Sequence, residues 1–285
     1  MRALVVTADD VGLHSGMTLG AVKAHDEGIV TACSVVANGR AFEAAVEILR
    51  DRPRLDAGVH LTLVGERPLS PPERIPSLVD RTGVLLRDFR RFTRRYLLGG
   101  IAAGEVEEEL RRQIERLLAS GLRVVHANSH QHLHVLPRIF EIVLRLAEEH
   151  GIPFVRVPHE PAALRRPSPR SLQIGILNGI GRTARRKLQE KGGVKTTART
   201  IGIVDAGALT AEKLFRLLDD AKDVTELVCH PGIGGEALAA EYDWGYDWDQ
   251  ETAALCDTRV KEELQGMGIE LTSFSRLGNQ PQARN

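Results

Sequence analysis

Four short motifs carry residue types suited to hydrolytic chemistry, and each follows an apolar, strand-like run. The first, Thr7-Ala8-Asp9-Asp10-Val11-Gly12, sets two carboxylates side by side. An extended chain points neighbouring side chains to opposite sides, so one can bind a metal while the other takes a proton. Gly58-Val59-His60-Leu61-Thr62 ends a second run with a single histidine. Asn128-Ser129-His130-Gln131-His132-Leu133-His134 offers three imidazoles at alternating positions, on one side of an extended segment. Val228-Cys229-His230-Pro231-Gly232 closes another run, and its proline turns the chain. Taken singly, the paired aspartates read as a solvated turn or a helix cap, and a lone strand-end histidine as a core residue. Together they read as a metal-dependent hydrolase, because neutral imidazole is a preferred ligand of divalent transition metals and packing gives little reason for such a cluster.

The elements that must position these residues follow from periodicity. Short runs rich in Val, Ile and Leu predict strands at Ala3–Thr7, Thr31–Val36, Asp56–His60, Val124–Ala127, Pro153–Val157, Thr200–Val204, Thr225–Cys229 and Glu270–Thr272. Helical spacing predicts helices at Glu105–Ser120, from Pro137 to just before Gly151, from Thr210, and as one long helix from Asp249 to Met267, with another starting near Ser15. Strands alternating with helices point to an irregular (β/α) barrel, with a doubly wound open sheet as the alternative. Barrel enzymes hold catalytic groups at the C-terminal ends of their strands, where all four motifs fall.

Composition narrows the class further. The 285 residues include 38 basic and 38 acidic side chains, a formal net charge of zero, which argues against a nucleic-acid partner. Cys33, Cys229 and Cys256 are odd in number and show no C-x-x-C spacing, so neither a disulfide framework nor a cysteine zinc site is expected. With no apolar signal core in the sequence, the expected location is cytoplasmic. Between Glu160 and Arg199 ten Lys or Arg stand against two Glu, interspersed with Ile174, Ile176, Leu177 and Ile180. That segment reads as a solvated face, with an anionic membrane surface as the alternative. Between Glu241 and Glu263 eight acids stand against two bases, again read as a solvated face.

In their order along the chain, the four motifs resemble the YdjC-type carbohydrate deacetylases, which include the chitooligosaccharide deacetylases. The resemblance runs from about residue 3 to residue 272. Within it, Ile75-Pro76-Ser77-Leu78-Val79-Asp80 and Val157-Pro158-His159-Glu160-Pro161 resemble the hopanoid-biosynthesis-associated branch. Two positions depart from the family pattern: Val11 replaces the usual Phe and Asn128 the usual Asp. Neither removes a ligand, but Asn128 bears on how His130 or the cluster is held.

The resemblance implies a single deacetylase domain over 1–275, an irregular (β/α) barrel, with a polar tail at 276–285. It implies one divalent metal held by Asp10, His60 and His130, with Asp9 as catalytic base and His230 as general acid. Mg2+ is the ion the family implies, and Zn2+ suits two histidines at least as well. The residues support the same roles, since two imidazoles and a carboxylate leave positions for water and the acetyl carbonyl, and the leaving amine needs a proton. His132 and His134 are placed near the metal or on the substrate. Trp244 and Tyr246, alternating with Trp248 in an acidic loop, are placed against the sugar, with aromatic core packing as the equal alternative.

The expected reaction is removal of the N-acetyl group from an N-acetylglucosamine-containing substrate, first an N-acetylglucosaminyl hopanoid and alternatively diacetylchitobiose. A lipid-linked substrate calls for an apolar approach, with Leu85–Gly99 and the region from Ile174 to Lys187 as candidates, and for peripheral contact with the inner face of a membrane. A homodimer is allowed for. The rivals are another metal hydrolase, such as a phosphoesterase or an amidohydrolase, and a non-catalytic metal-stabilised carbohydrate-binding protein; a binuclear phosphoesterase needs more bridging carboxylates than Asp9 and Asp10 offer.

Overall fold

The computed structural model describes residues 2–161 and 169–279. Arg165 and Arg166 of the basic segment, and the tail beyond Asn279, lie outside the described residues. All eight expected strands form: β1 (Arg2–Val11), β2 (Ala32–Val35), β3 (Asp56–Leu61), β4 (Val124–Ser129), β5 (Phe154–Val155), β6 (Arg199–Ile201), β7 (Val224–Cys229) and β8 (Ile269–Leu271). They make one parallel sheet in the order β5-β4-β3-β2-β1-β7-β6. Ala3 and Leu4 pair with both β7 and β8, so β8 lies on the β2 side of β1, below the point where β2 joins it.

This curled sheet matches the expected irregular (β/α) barrel. Its two ends share no ladder, yet the chain around β5 runs beside the approach to β6. Val155 N–H donates to the Lys195 carbonyl at 2.9 Å, and Thr200 N–H to that of His159 at 3.0 Å. The strands are buried almost throughout, as apolar runs covered on both faces must be.

The helices are α1 (Ser15–Asp26), α2 (Phe42–Arg50), α3 (Phe89–Leu97), α4 (Ala103–Ala119), α5 (Pro137–Glu149), α6 (Pro169–Lys191), α7 (Ala211–Leu218), α8 (Gly235–Glu241), α9 (Trp248–Cys256), α10 (Thr258–Gly266) and α11 (Phe274–Asn279). Pro137 opens α5, where its missing N–H costs nothing, and Thr210 caps α7 by accepting the Lys213 N–H. The single long helix expected from Asp249 is instead α9 and α10. Asp257 adopts extended ψ between them, and its carboxylate caps α10 by accepting the Arg259 N–H. The acidic stretch is correspondingly less solvated than expected: Asp247 caps α9, Asp249 accepts the N–H groups of Gly234 and Gly235, and Glu251 is fully buried.

Buried polar side chains fix the loops around the barrel mouth. Gln113 on α4 both accepts from and donates to the Thr62 backbone, while Glu109 accepts the N–H groups of Leu69 and Ser70. Glu160 accepts three backbone N–H groups, from Gly202, Ile203 and Val204. Burial nevertheless outweighs those donors and pushes the Glu160 carboxyl up to about 7, from 4.5 in an unfolded chain. The folded state therefore holds this proton longer. Its contribution to stability is complete below pH 4.5 and is lost as pH rises to about 7, by roughly 3 kcal/mol. Urea unfolding at pH 5 and pH 8 should show this decline, and Glu160→Gln should flatten it; an unchanged slope in the variant would refute the assignment.

Candidate active site

The C-terminal strand ends surround a cavity of about 620 Å³. Asp9 and Asp10 both line it, contrary to the expectation that they point to different sides. The cause is local: the β1–β2 register breaks between Ala8 and Val11, and Asp10 sits at φ +64°, a left-handed conformation that Asp tolerates better than most residues.

Asp10, His60 and His130 converge. Asp10 Oδ1 lies 2.9 Å from His130 Nδ1 and 3.1 Å from His60 Nε2. Donor atoms about 2.1 Å from one ion, at angles near 90–110°, stand roughly 3.0–3.4 Å apart, so the spacing fits a shared divalent cation. The other nitrogen of His60, Nδ1, lies 2.7 Å from Asn128 Oδ1, the kind of partner that fixes the tautomer and frees Nε2 for a metal. Asn128 thus steadies His60 rather than His130. Its amide also donates to Asp9 Oδ1 at 3.2 Å and to Ser34 Oγ at 2.7 Å. Burial alone would raise the Asp10 carboxyl, but His130 and His60 hold it well below the usual carboxylate range. Burial likewise disfavours a charge on His60, but Asp9 and Asp10 outweigh it and raise that imidazole.

Beneath the triad lies a buried charge network. Arg156 grips both oxygens of Asp9 and also donates through Nε and NH2 to Glu226 Oε1, at 3.0 and 2.7 Å. Ser34 and Asn128 complete the partners of Asp9 Oδ1, while Oδ2 accepts only from Arg156 among the described residues. Burial would raise Asp9, but the Arg156 guanidinium and His60 hold it ionised far below its ordinary value. His126, stacked on Phe274 with ring centroids 4.4 Å apart, is pushed down to about 3 by burial and Arg156 and stays neutral. Its ring occupies the space a Cβ at Gly58 would need, only 2.3 Å away.

The histidine cluster is not the extended array its spacing predicts. Residues His130–Val135 form a tight turn with Gln131 and His132 both at φ +55°, which separates the three imidazoles. His130 enters the metal triad. His132 lines the cavity with its Nδ1 buried and unpartnered among the described residues. His134, expected near the metal or on the substrate, is turned into the core, where Ser129 Oγ lies 2.6 Å from Nδ1 and the Arg156 carbonyl 2.7 Å from Nε2.

His230 lines the same cavity, with Nδ1 buried and unpartnered among the described residues. Its backbone N–H donates to Glu251 at 2.7 Å, and burial raises that carboxyl. Trp244 and Tyr246 line the same cavity, with ring centroids 5.2 Å from those of His130 and His230 respectively. They extend a small aromatic core that includes Tyr242 and Trp248. Leu133, Leu136, Ile174, Leu177 and Ile180 make an apolar stretch of the remaining wall, to which Thr93, Gln131, Arg170 and Gln173 add polar groups. Both segments expected to make an apolar approach reach it, Phe89 from α3 and the isoleucines from α6.

Sequence reasoning missed Arg156, Glu226, Ser34 and Glu251. The one signal for Glu226 is a carboxylate midway along an otherwise apolar strand.

Comparison with known proteins follows the same outline. Residues 3–266 match the family model described as YdjC-like protein. A carbohydrate deacetylase of Brevibacillus brevis is 33% identical over 277 residues, covering 96% of this chain and 99% of the relative. The chitooligosaccharide deacetylase of Serratia marcescens is 29% identical, covering 97% and 99%. A crystal structure from Enterococcus faecalis, named for cellobiose-phosphate cleavage, superposes with a TM-score of 0.78 at 27% identity, covering 97% of this chain and 98% of that one.

Proposed function

The chain belongs to the YdjC-like protein family, and from that premise we propose that it is a metal-dependent N-deacetylase of acetylated amino-sugar oligosaccharides, chitooligosaccharides among them. The observation that carries this reading is the Asp10–His60–His130 triad, flanked by ionised Asp9, in a cavity that His230 also lines. A divalent ion held by the triad, Mg2+ or Zn2+, would supply Lewis-acid polarisation of the acetyl carbonyl and lower the pKa of water.

The chain's own residues do the rest. Arg156, Ser34 and Asn128 fix Asp9 and leave Oδ2 able to accept one more proton donor, the attacking water. As the C–N bond breaks, His230 delivers a proton to the amine nitrogen, which otherwise leaves poorly. Acetate and a free amino sugar result. Trp244 and Tyr246 offer ring faces to the sugar at either side of the reacting amide. A closed site, as a purely structural metal would have, fits poorly with a triad lining a cavity of this size.

A second reading, an N-acetylglucosaminyl hopanoid or another amino sugar with an apolar aglycone, is favoured by the apolar wall of α6 and the residues around Leu133. The names of the relatives support the oligosaccharide better. Acetate release from diacetylchitobiose and from an N-acetylglucosaminyl hopanoid decides between them. We expect the higher kcat/KM on diacetylchitobiose, lost on chelation and restored by Mg2+ or Zn2+. A preference for the hopanoid would reverse the substrate assignment, and acetate release from neither would overturn the deacetylase.

A further inference from the structure

Two helices at the cavity rim share a composition that the proposed chemistry does not use. The span from Phe89 to Gly104 holds Arg90, Arg91, Arg94 and Arg95 with no Asp or Glu. From Pro169 to Gln189, α6 likewise has cations and no acid. On α4 and α5, Arg111, Arg112 and Arg145 pair with glutamates, and on α6 Arg186 and Lys187 pair with Glu190 and Glu141. Arg90, Arg91 and Arg94 are exposed and meet no carboxylate within 4 Å among the described residues.

The same two elements carry the most exposed large apolar side chains among the described residues. Leu97 and Leu98, at the end of α3, are 74% and 77% exposed, and Leu172 and Ile176 on α6 are 68% and 62% exposed. The helices flank the His130–Val135 turn. Gln131 accepts the Phe89 N–H at 3.1 Å, and α6 packs on that turn and on α5. Both also line the cavity, α3 through Phe89 and Thr93 and α6 through Gln173, Ile174, Ile176 and Leu177. Exposed Leu97 and Leu98 thus share α3 and its end with Arg90, Arg91 and Arg94, unpaired among the described residues, and exposed Leu172 and Ile176 lie on the neighbouring wall helix α6.

We propose that this rim docks peripherally on a bilayer rich in anionic lipid headgroups. Charge complementarity selects that occupant: the arginines meet the negative surface while the leucines enter the headgroup boundary. No helix of the described residues is long and apolar enough to cross a membrane, so the contact is at the surface. The proposal goes beyond the deacetylase reading and needs no activity to be read.

Vesicle flotation tests it, with phosphatidylcholine alone and phosphatidylcholine mixed with phosphatidylglycerol, at low and high salt. The full chain should float with the mixed vesicles at low salt and be released at high salt. Substituting Arg90, Arg91 and Arg94 together with Ala should weaken partitioning roughly 100-fold. Leu97→Asp combined with Leu98→Asp should weaken it at least about ten-fold. Both variants should unfold in urea as the parent does, which separates lost docking from lost fold. Absence of flotation at low salt, equal binding to pure phosphatidylcholine, or binding indifferent to both variants would overturn the proposal. So would sedimentation showing a dimer that the leucine variant dissolves, since the face would then belong to a second copy.

Discussion

Alanine at His60 or His130 should give a folded protein that has lost both its bound metal and its acetate release. The ligand atoms stand 2.9 and 3.1 Å from Asp10 Oδ1, so each histidine supplies one corner of a three-residue site that cannot be completed by a neighbour among the described residues. A metal's contribution to such hydrolysis is several kcal/mol, and its loss should lower turnover roughly 10³-fold or more. His130 is partly exposed at the cavity, so its truncation costs the fold little. His60 is buried, and His60→Ala should lower stability as well, which makes His130→Ala the cleaner test. Asn128→Ala removes the partner of His60 Nδ1 and should weaken metal binding about 10–100-fold without abolishing it. Metal stoichiometry by mass spectrometry, beside an acetate assay, reads all three. Full occupancy in His130→Ala would remove that residue from the site.

The scaffold was legible because buried parallel strands announce themselves as short apolar runs, and each of the eight forms within a few residues of its expected place. A metal site was legible because strand-end Asp and His have few other reasons to recur, and the choice of Asp10, His60 and His130 among them is what the family resemblance implied. What escaped was tertiary. Period-two alternation predicted one-sided imidazoles, but two consecutive left-handed residues, Gln131 and His132, fold that segment into a turn and send His134 to the core. Alternation also separated Asp9 from Asp10, and the bulge at Asp10 brings both inside. Arg156 and Glu226 went unnoticed because a charge in a strand normally faces solvent. Only the folded sheet shows that Arg156 is shared between Glu226 and Asp9 within it. Asp257 reads as one more helical position, yet it caps a new helix. Side-chain caps compete with helix continuation, and periodicity does not see that competition.

Asp9→Asn should keep the metal and lose about 10²–10⁴-fold in turnover, the range of a positioned general base. Asparagine preserves size and one acceptor oxygen but cannot take a proton, so a mere packing role for Asp9 would leave turnover close to the parent's. His230→Ala should fall in the same range if it protonates the leaving amine. Arg156 separates the chemistry from the support. Its guanidinium is raised by Asp9 and Glu226 despite the opposing cost of burial, so it stays charged between two buried carboxylates. Arg156→Met removes that charge and leaves both carboxylates uncompensated, and should cost about 3–5 kcal/mol of stability. Asp9→Asn leaves Arg156 paired with Glu226 and should cost less, while harming turnover through chemistry. The two variants therefore move different readouts: urea midpoint chiefly for Arg156→Met, kcat at full metal occupancy chiefly for Asp9→Asn. If Asp9→Asn turned over at the parent rate with metal bound, the proton would have another acceptor, and Asp9 would be part of the buried ion network alone.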